Sequence, residues 1–105
     1  MAVVPQLRDP RLEEALVYTL HNDPNQVVRL KAMTALEQQT FDSTVKDALL
    51  ITLKNDPAVQ LRLKALEALS SQAVEADAIW QAIRSSDQEG NPAVVQYAAE
   101  HVKGL

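Results

Sequence analysis

Cysteine is absent from the chain, so it can form neither a disulfide nor a thiolate metal site, and its redox compartment stays open. Glycine is almost as scarce. Two residues in 105 are too few for the positive-φ turns that an all-β domain needs. Aromatic residues make up only 4%, which leaves Ala, Leu and Val to build an interior by close approach, a situation that favours helix packed on helix. No segment approaches the roughly 20 consecutive apolar residues that span a bilayer. The opening MAVVPQLRDPRLEE lacks a basic stretch followed by an apolar one. These two features predict a soluble, untargeted chain with no direct membrane insertion. A block of basic charge is missing too: ten Lys and Arg are scattered among fourteen Asp and Glu, for a net charge of −4. Phosphate backbones are bound by clustered cations, so nucleic acid is not expected as a partner.

What the chain does have is apolar material, 47% of its residues, enough for the core of a single domain over 1–105. It also has an internal echo. Residues 22–36 read NDPNQVVRLKAMTAL and residues 55–69 read NDPAVQLRLKALEAL, sharing nine of fifteen residues at a spacing of 33. Upstream, Leu12, Leu16, Val17 and Leu20 precede Val45, Leu49, Leu50 and Leu53 by the same interval. Both segments of each unit carry apolar residues at helical spacing. Asp23 and Asp56 are suited to accept hydrogen bonds at a helix start, with Pro24 and Pro57 at the first helical position. Asp9-Pro10 repeats the signal, and Asp42 or Ser43 can cap the third helix.

A third copy follows in altered form. Ala78, Ala82 and Ile83 keep the interval, but the proline expected at 90 stands at 92, which reads as an insertion of about two residues within DQEGNP. With the last helix offset by one, Val95, Ala99 and Val102 continue the apolar face, and Gln96 or Tyr97 replaces the arginine of Arg29 and Arg62. The pattern predicts an all-α fold of three helical hairpins, with helices at 10–21, 24–39, 43–54, 57–72, 75–86 and 92–103 in copies at about 9–40, 42–73 and 75–105. Helices this short are marginal alone, so the copies must stack, giving an α-α superhelix, or solenoid.

NDPNQVVRLKAMTAL and NDPAVQLRLKALEAL, with Asp-Pro opening the second helix and an Ala-Leu ending, resemble HEAT repeats of a short bacterial form. The period coincides with that of ankyrin repeats, but T-P-L-H-x-A is missing, as is the W-x₂-L-G-x₂-Y of tetratricopeptides. The order of DPNQVVRLKAMTAL, TFDSTVKDALLITL and NPAVVQYAAEHV is similar to the HEAT-like tails of bacterial zinc-finger anti-sigma-type membrane proteins. The resemblance implies a ladder of polar contacts between copies through Asp23, Arg29, Asp56 and Arg62. It also implies an extracytoplasmic location if the chain is such a tail, and a cytoplasmic one if it stands alone.

Catalytic constellations are not apparent. His21 and His101 lie 80 positions apart, without the convergent ligands a metal site needs. His21 is suited to the C-terminal end of its helix, and Glu13, Glu14 and Glu75 to Asp77 to helix starts. No cofactor is expected. Trp80 projects away from the apolar face formed by Ala78, Ala82 and Ile83, and reads either as covered by the divergent tail or as an exposed anchor for a partner. Turning each second helix at about 100° per residue leaves one outward stripe. It carries Val27, Lys31, Thr34 and Gln38, then Gln60, Lys64, Glu67 and Ser71, and with the offset Val94, Ala98 and His101. Stacked hairpins set such stripes side by side on a concave face. The expected function is a non-enzymatic protein-interaction module, monomeric or weakly dimeric. Alternatives are a self-associating structural domain and, from a different class, a HEAT-like lyase or nucleic-acid enzyme.

Overall fold

The computed structural model describes residues 9–86 and 91–102. Those residues form six helices and no strand: α1 (Pro10–Asn22), α2 (Gln26–Glu37), α3 (Ser43–Asn55), α4 (Val59–Ser71), α5 (Ala76–Arg84) and α6 (Pro92–His101). Helix α1 packs on α2 and α3 on α4; across the pairs, α1 meets α3, α3 meets α5, α2 meets α4 and α4 meets α6. The molecule measures 50 × 31 × 16 Å. None of the described helices is long and apolar enough to cross a membrane.

Capping side chains mark the starts of α1, α2, α3 and α6, whereas α4 and α5 have none. Asp9 Oδ1 accepts from the backbone N–H groups of Arg11 and Leu12, at 3.0 and 3.4 Å, and Asp42 Oδ1 from Val45 at 2.8 Å. The Asp-Pro breaks work differently from the expectation. Asp23 and Asp56 close the preceding helices, their N–H groups bonding the carbonyls of Thr19 and Thr52. Each carboxylate then accepts from the N–H two residues on, Asn25 at 2.8 Å and Ala58 at 2.9 Å. These are Asx turns, which reverse the chain before the next helix starts. The residues that open the second helices are therefore Asn25 and Ala58, and Pro24 and Pro57 stand just outside them.

This difference resets the third copy. Asn91 opens α6, its Oδ1 accepting from Ala93 and Val94 at 3.0 and 3.3 Å, with Pro92 at the first helical position. Asn25, Ala58 and Asn91 are spaced by 33, as are Asp9, Asp42 and Glu75 at the starts of α1, α3 and α5. No net insertion intervenes. The displaced proline has a different role, and the divergence is instead a short α5, nine residues against thirteen in α1 and α3. Residues 87–90 of DQEGNP lie outside the described residues.

The core follows the 33-residue register. Leu61, Ala65 and Leu69 are fully buried, and Val94, Ala98 and Val102, one interval later, are 1%, 0% and 6% exposed. Val95 and Ala99, expected on the apolar face, are exposed. Leu20, Met33, Leu36, Leu49, Leu53 and Leu66 belong to the same interior, each burial contributing on the order of 1.5–3 kcal/mol. Helix α4 ends with Ala73 at φ 57, the Val74 N–H bonding the Leu69 carbonyl and the Ala73 N–H that of Ser70. Glycine is the usual residue in that left-handed position; here a Cβ occupies it.

Candidate functional site

Two sets of residues singled out in the sequence come to different places. The first is the polar set between copies. Arg29, only 8% exposed, donates from Nε to Asp56 Oδ2 at 3.0 Å and from Nη2 to Asp56 Oδ1 at 3.2 Å, a two-point pair between α2 and the end of α3. Its Nη1 donates to the Asp23 carbonyl at 2.9 Å, so the guanidinium ties the first turn to the second. Asp23 takes part through its backbone; its carboxylate serves the Asx turn. Arg62, 2% exposed, donates from Nε to the Leu53 carbonyl at 3.3 Å. Burial lowers its pKa below the usual guanidinium value, and the charge of Asp56 opposes that shift. His21 lies in the last turn of α1 and shares a 3.2 Å hydrogen bond with the Ala48 carbonyl, its Nε2 donating, which joins α1 to α3. Around these groups runs a cleft of about 360 Å³, lined in part by His21, Arg29, Thr52 and Asp56. Arg29 and Asp56 within it hold the two turns together and His21 joins α1 to α3, while the buried Thr52 Oγ1 has no hydrogen-bond partner.

The second set is the outward stripe of α2 and α4. Val27 is 58% exposed, and Lys31, Thr34, Gln38, Gln60, Glu67 and Ser71 are exposed as well, with Lys64 half-buried. The two helices are laced across this face by an amide contact of 3.0 Å from Gln26 Nε2 to Gln60 Oε1. Thr34 and Ser71 turn their hydroxyls back to the carbonyls of Leu30 and Ala68, both at 3.0 Å, so these oxygens donate within their own helices. On α6 the stripe departs from the expectation, because Val94 and Ala98 are buried and only His101 of the named residues is exposed. The unbroken register places Ala93, Tyr97 and Glu100 after Gln60, Lys64 and Glu67. Tyr97 stacks on His101 at 4.0 Å between ring centroids and 20° between planes. The His101 Nδ1 donates to the Tyr97 carbonyl at 3.1 Å.

Two depressions mark this surface. One, about 330 Å³, is lined by Gln60, Leu63, Lys64, Glu67 and Tyr97. The other, about 430 Å³, lies where the end of α2 and its following loop meet α3 and α4, and is lined by Glu37, Phe41, Glu67 and Ser71 above Val45 and Leu49. Glu67 belongs to both. The Glu37 carboxyl has its pKa raised above 4.5, first by burial and further by Glu67, with Lys64 acting in the opposite direction.

Sequence reasoning missed Tyr97, Glu37 and Phe41. Counting 33 from Lys64 finds Tyr97; no comparable signal marks the other two, since their placement depends on how the loop after α2 folds. Trp80 is 9% exposed, and its Nε1 is buried without a hydrogen-bond partner, which rules out its reading as an exposed anchor. Among the described residues, no group of three or more His, Cys, Asp or Glu is placed to hold a metal ion. Comparison with protein-family models, with curated proteins and with solved structures gives no match.

Proposed function

We propose that the chain is a short solenoid of HEAT-like hairpins that acts as a non-enzymatic docking module for another polypeptide, through the face formed by α2, α4 and α6. The solenoid reading is supported by the two rows of helix contacts and by helix starts that recur every 33 residues. The observation that carries the functional reading is the pair of depressions sharing Glu67 on an exposed, mixed-polarity stripe. Solenoids use such inner surfaces for protein contacts. The resemblance to anti-sigma-type tails supplies a setting for this proposal and rests on the repeat residues alone.

Selection of binders from a random peptide library tests it. Binders enriched on the native chain should persist on a variant altered on the opposite side of the molecule, Glu14→Arg with Asp47→Arg. They should be lost on Thr34→Arg with Gln60→Arg. Equal retention on both variants rejects the docking face.

Leu12 favours a second reading, self-association. It is 47% exposed, whereas Val45, its counterpart in the next copy, is 1% exposed. Sedimentation velocity decides between them: a dimer that a Leu12→Lys substitution dissociates supports self-association, and a monomer at all concentrations excludes it.

A further inference from the structure

We propose that the depression between Glu37 and Glu67 seats a basic side chain of the partner polypeptide, a Lys or Arg whose aliphatic stem lies on Phe41 and whose charged head meets the two carboxylates. This inference rests on the docking reading above and names the chemistry of its occupant. The floor is apolar: Phe41 is half-buried over Val45 and Leu49, which are 1% and 0% exposed. The rim carries two carboxylates, Glu67 adding to the cost of ionising Glu37, and Lys64 acts on Glu37 in the opposite direction. A long basic side chain suits that combination. Its methylenes cover apolar surface while its head stays at the polar edge. A guanidinium or ammonium head also gains from an aromatic face beside it. An acidic partner would be repelled, and two carboxylates are too few to dehydrate and hold a divalent ion.

The next junction shows that this is not a property of every copy. There the corresponding depression, about 390 Å³, is lined by Ser70, Val74, Glu75 and His101 among others. Ser70 stands 33 residues after Glu37 and Val74 after Phe41, so both the rim carboxylate and the aromatic ring are replaced. Burial also raises the pKa of Glu37, a cost to its charged form that an incoming cation would offset.

Titration of the isotopically labelled full chain with two capped tripeptides, Leu-Arg-Leu and Leu-Glu-Leu, tests the proposal by amide chemical shifts. The arginine peptide should move the signals of Glu37, Phe41, Glu67 and Tyr97, and the glutamate peptide should not. Glu37→Gln and Glu67→Gln should each weaken binding about threefold, and together about tenfold, as for partly exposed ion pairs. Circular dichroism melts confirm that the variants fold. No shift with the arginine peptide, shifts elsewhere, or equal binding by the double variant overturns the assignment. Library binders that need the face but lack Lys and Arg overturn it as well, and leave the docking module standing. The absence of any face-dependent binder rejects the docking module itself.

Discussion

Helices α4 and α6 occupy equivalent places in successive copies, and comparing them separates what a repeat must keep from what it can give up. The face carrying Leu61, Ala65 and Leu69 is retained: they become Val94, Ala98 and Val102, all buried. The face carrying Arg62 and Leu66 is not. Arg62 and Leu66, 2% and 0% exposed, become Val95 at 38% and an exposed Ala99. An arginine and a leucine there are useful only when covered, because the first needs partners and the second needs exclusion from water. Helix α6 has neither requirement. The first face thus keeps the register, and the second is not held to it.

Substitutions at matched positions can break this comparison. The largest effect is expected for Arg29→Ala, which leaves Asp56 buried without its two-point partner and should cost about 3–5 kcal/mol. Val95→Ala, at the equivalent place in α6, should cost less than about 0.5 kcal/mol. Chemical denaturation measures both, and equal losses would show that the Arg62 face matters as much in α6. If the face of Leu61 is retained in α6, Leu69→Ala should cost about 3 kcal/mol and Val102→Ala about 1.5 kcal/mol. A neutral Val102→Ala would break the register assigned to α6.

Two smaller effects sharpen the contrast between loops. Ala73 adopts a left-handed conformation that Thr40, at the equivalent place after α2, does not. Ala73→Gly should therefore stabilise the protein by about 0.5–1 kcal/mol, seen as a higher Tm, whereas Thr40→Gly should not. The smallest effect concerns Glu37, whose folded pKa is raised above 4.5. The folded state then holds the proton more tightly than the unfolded chain, and stability falls as pH rises from the unfolded pKa through the folded one. Glu37→Gln should raise Tm slightly at neutral pH and leave it unchanged below the unfolded pKa; Ser70→Ala at the next junction should show no such pH dependence. Melting curves across that range check both.

The helices were legible in the sequence because each has its own apolar period and most have a capping side chain. The pairing of Arg29 with Asp56 comes from residues that stand at repeated positions, so the repeat itself draws attention to them. The start of α6 was harder to place because proline serves two purposes in this chain, standing outside the helix at Pro24 and Pro57 and inside it at Pro92. Asn91, in line with Asn25, was the better marker. Periodicity within α5 points Trp80 outward, yet the ring is buried, because cover from outside a helix leaves no trace in that helix's own spacing. The same holds for Glu37 and Phe41. Their meeting with Glu67 depends on the path of the loop between α2 and α3.

One interval governs the start of every helix, so the segment 42–74 is in effect a detachable length of material. Splicing in a second copy of it after Val74 would offer a new aspartate to Arg62, as Asp56 is offered to Arg29. The product would be a longer molecule, grown in the middle, with its first and last hairpins unaltered.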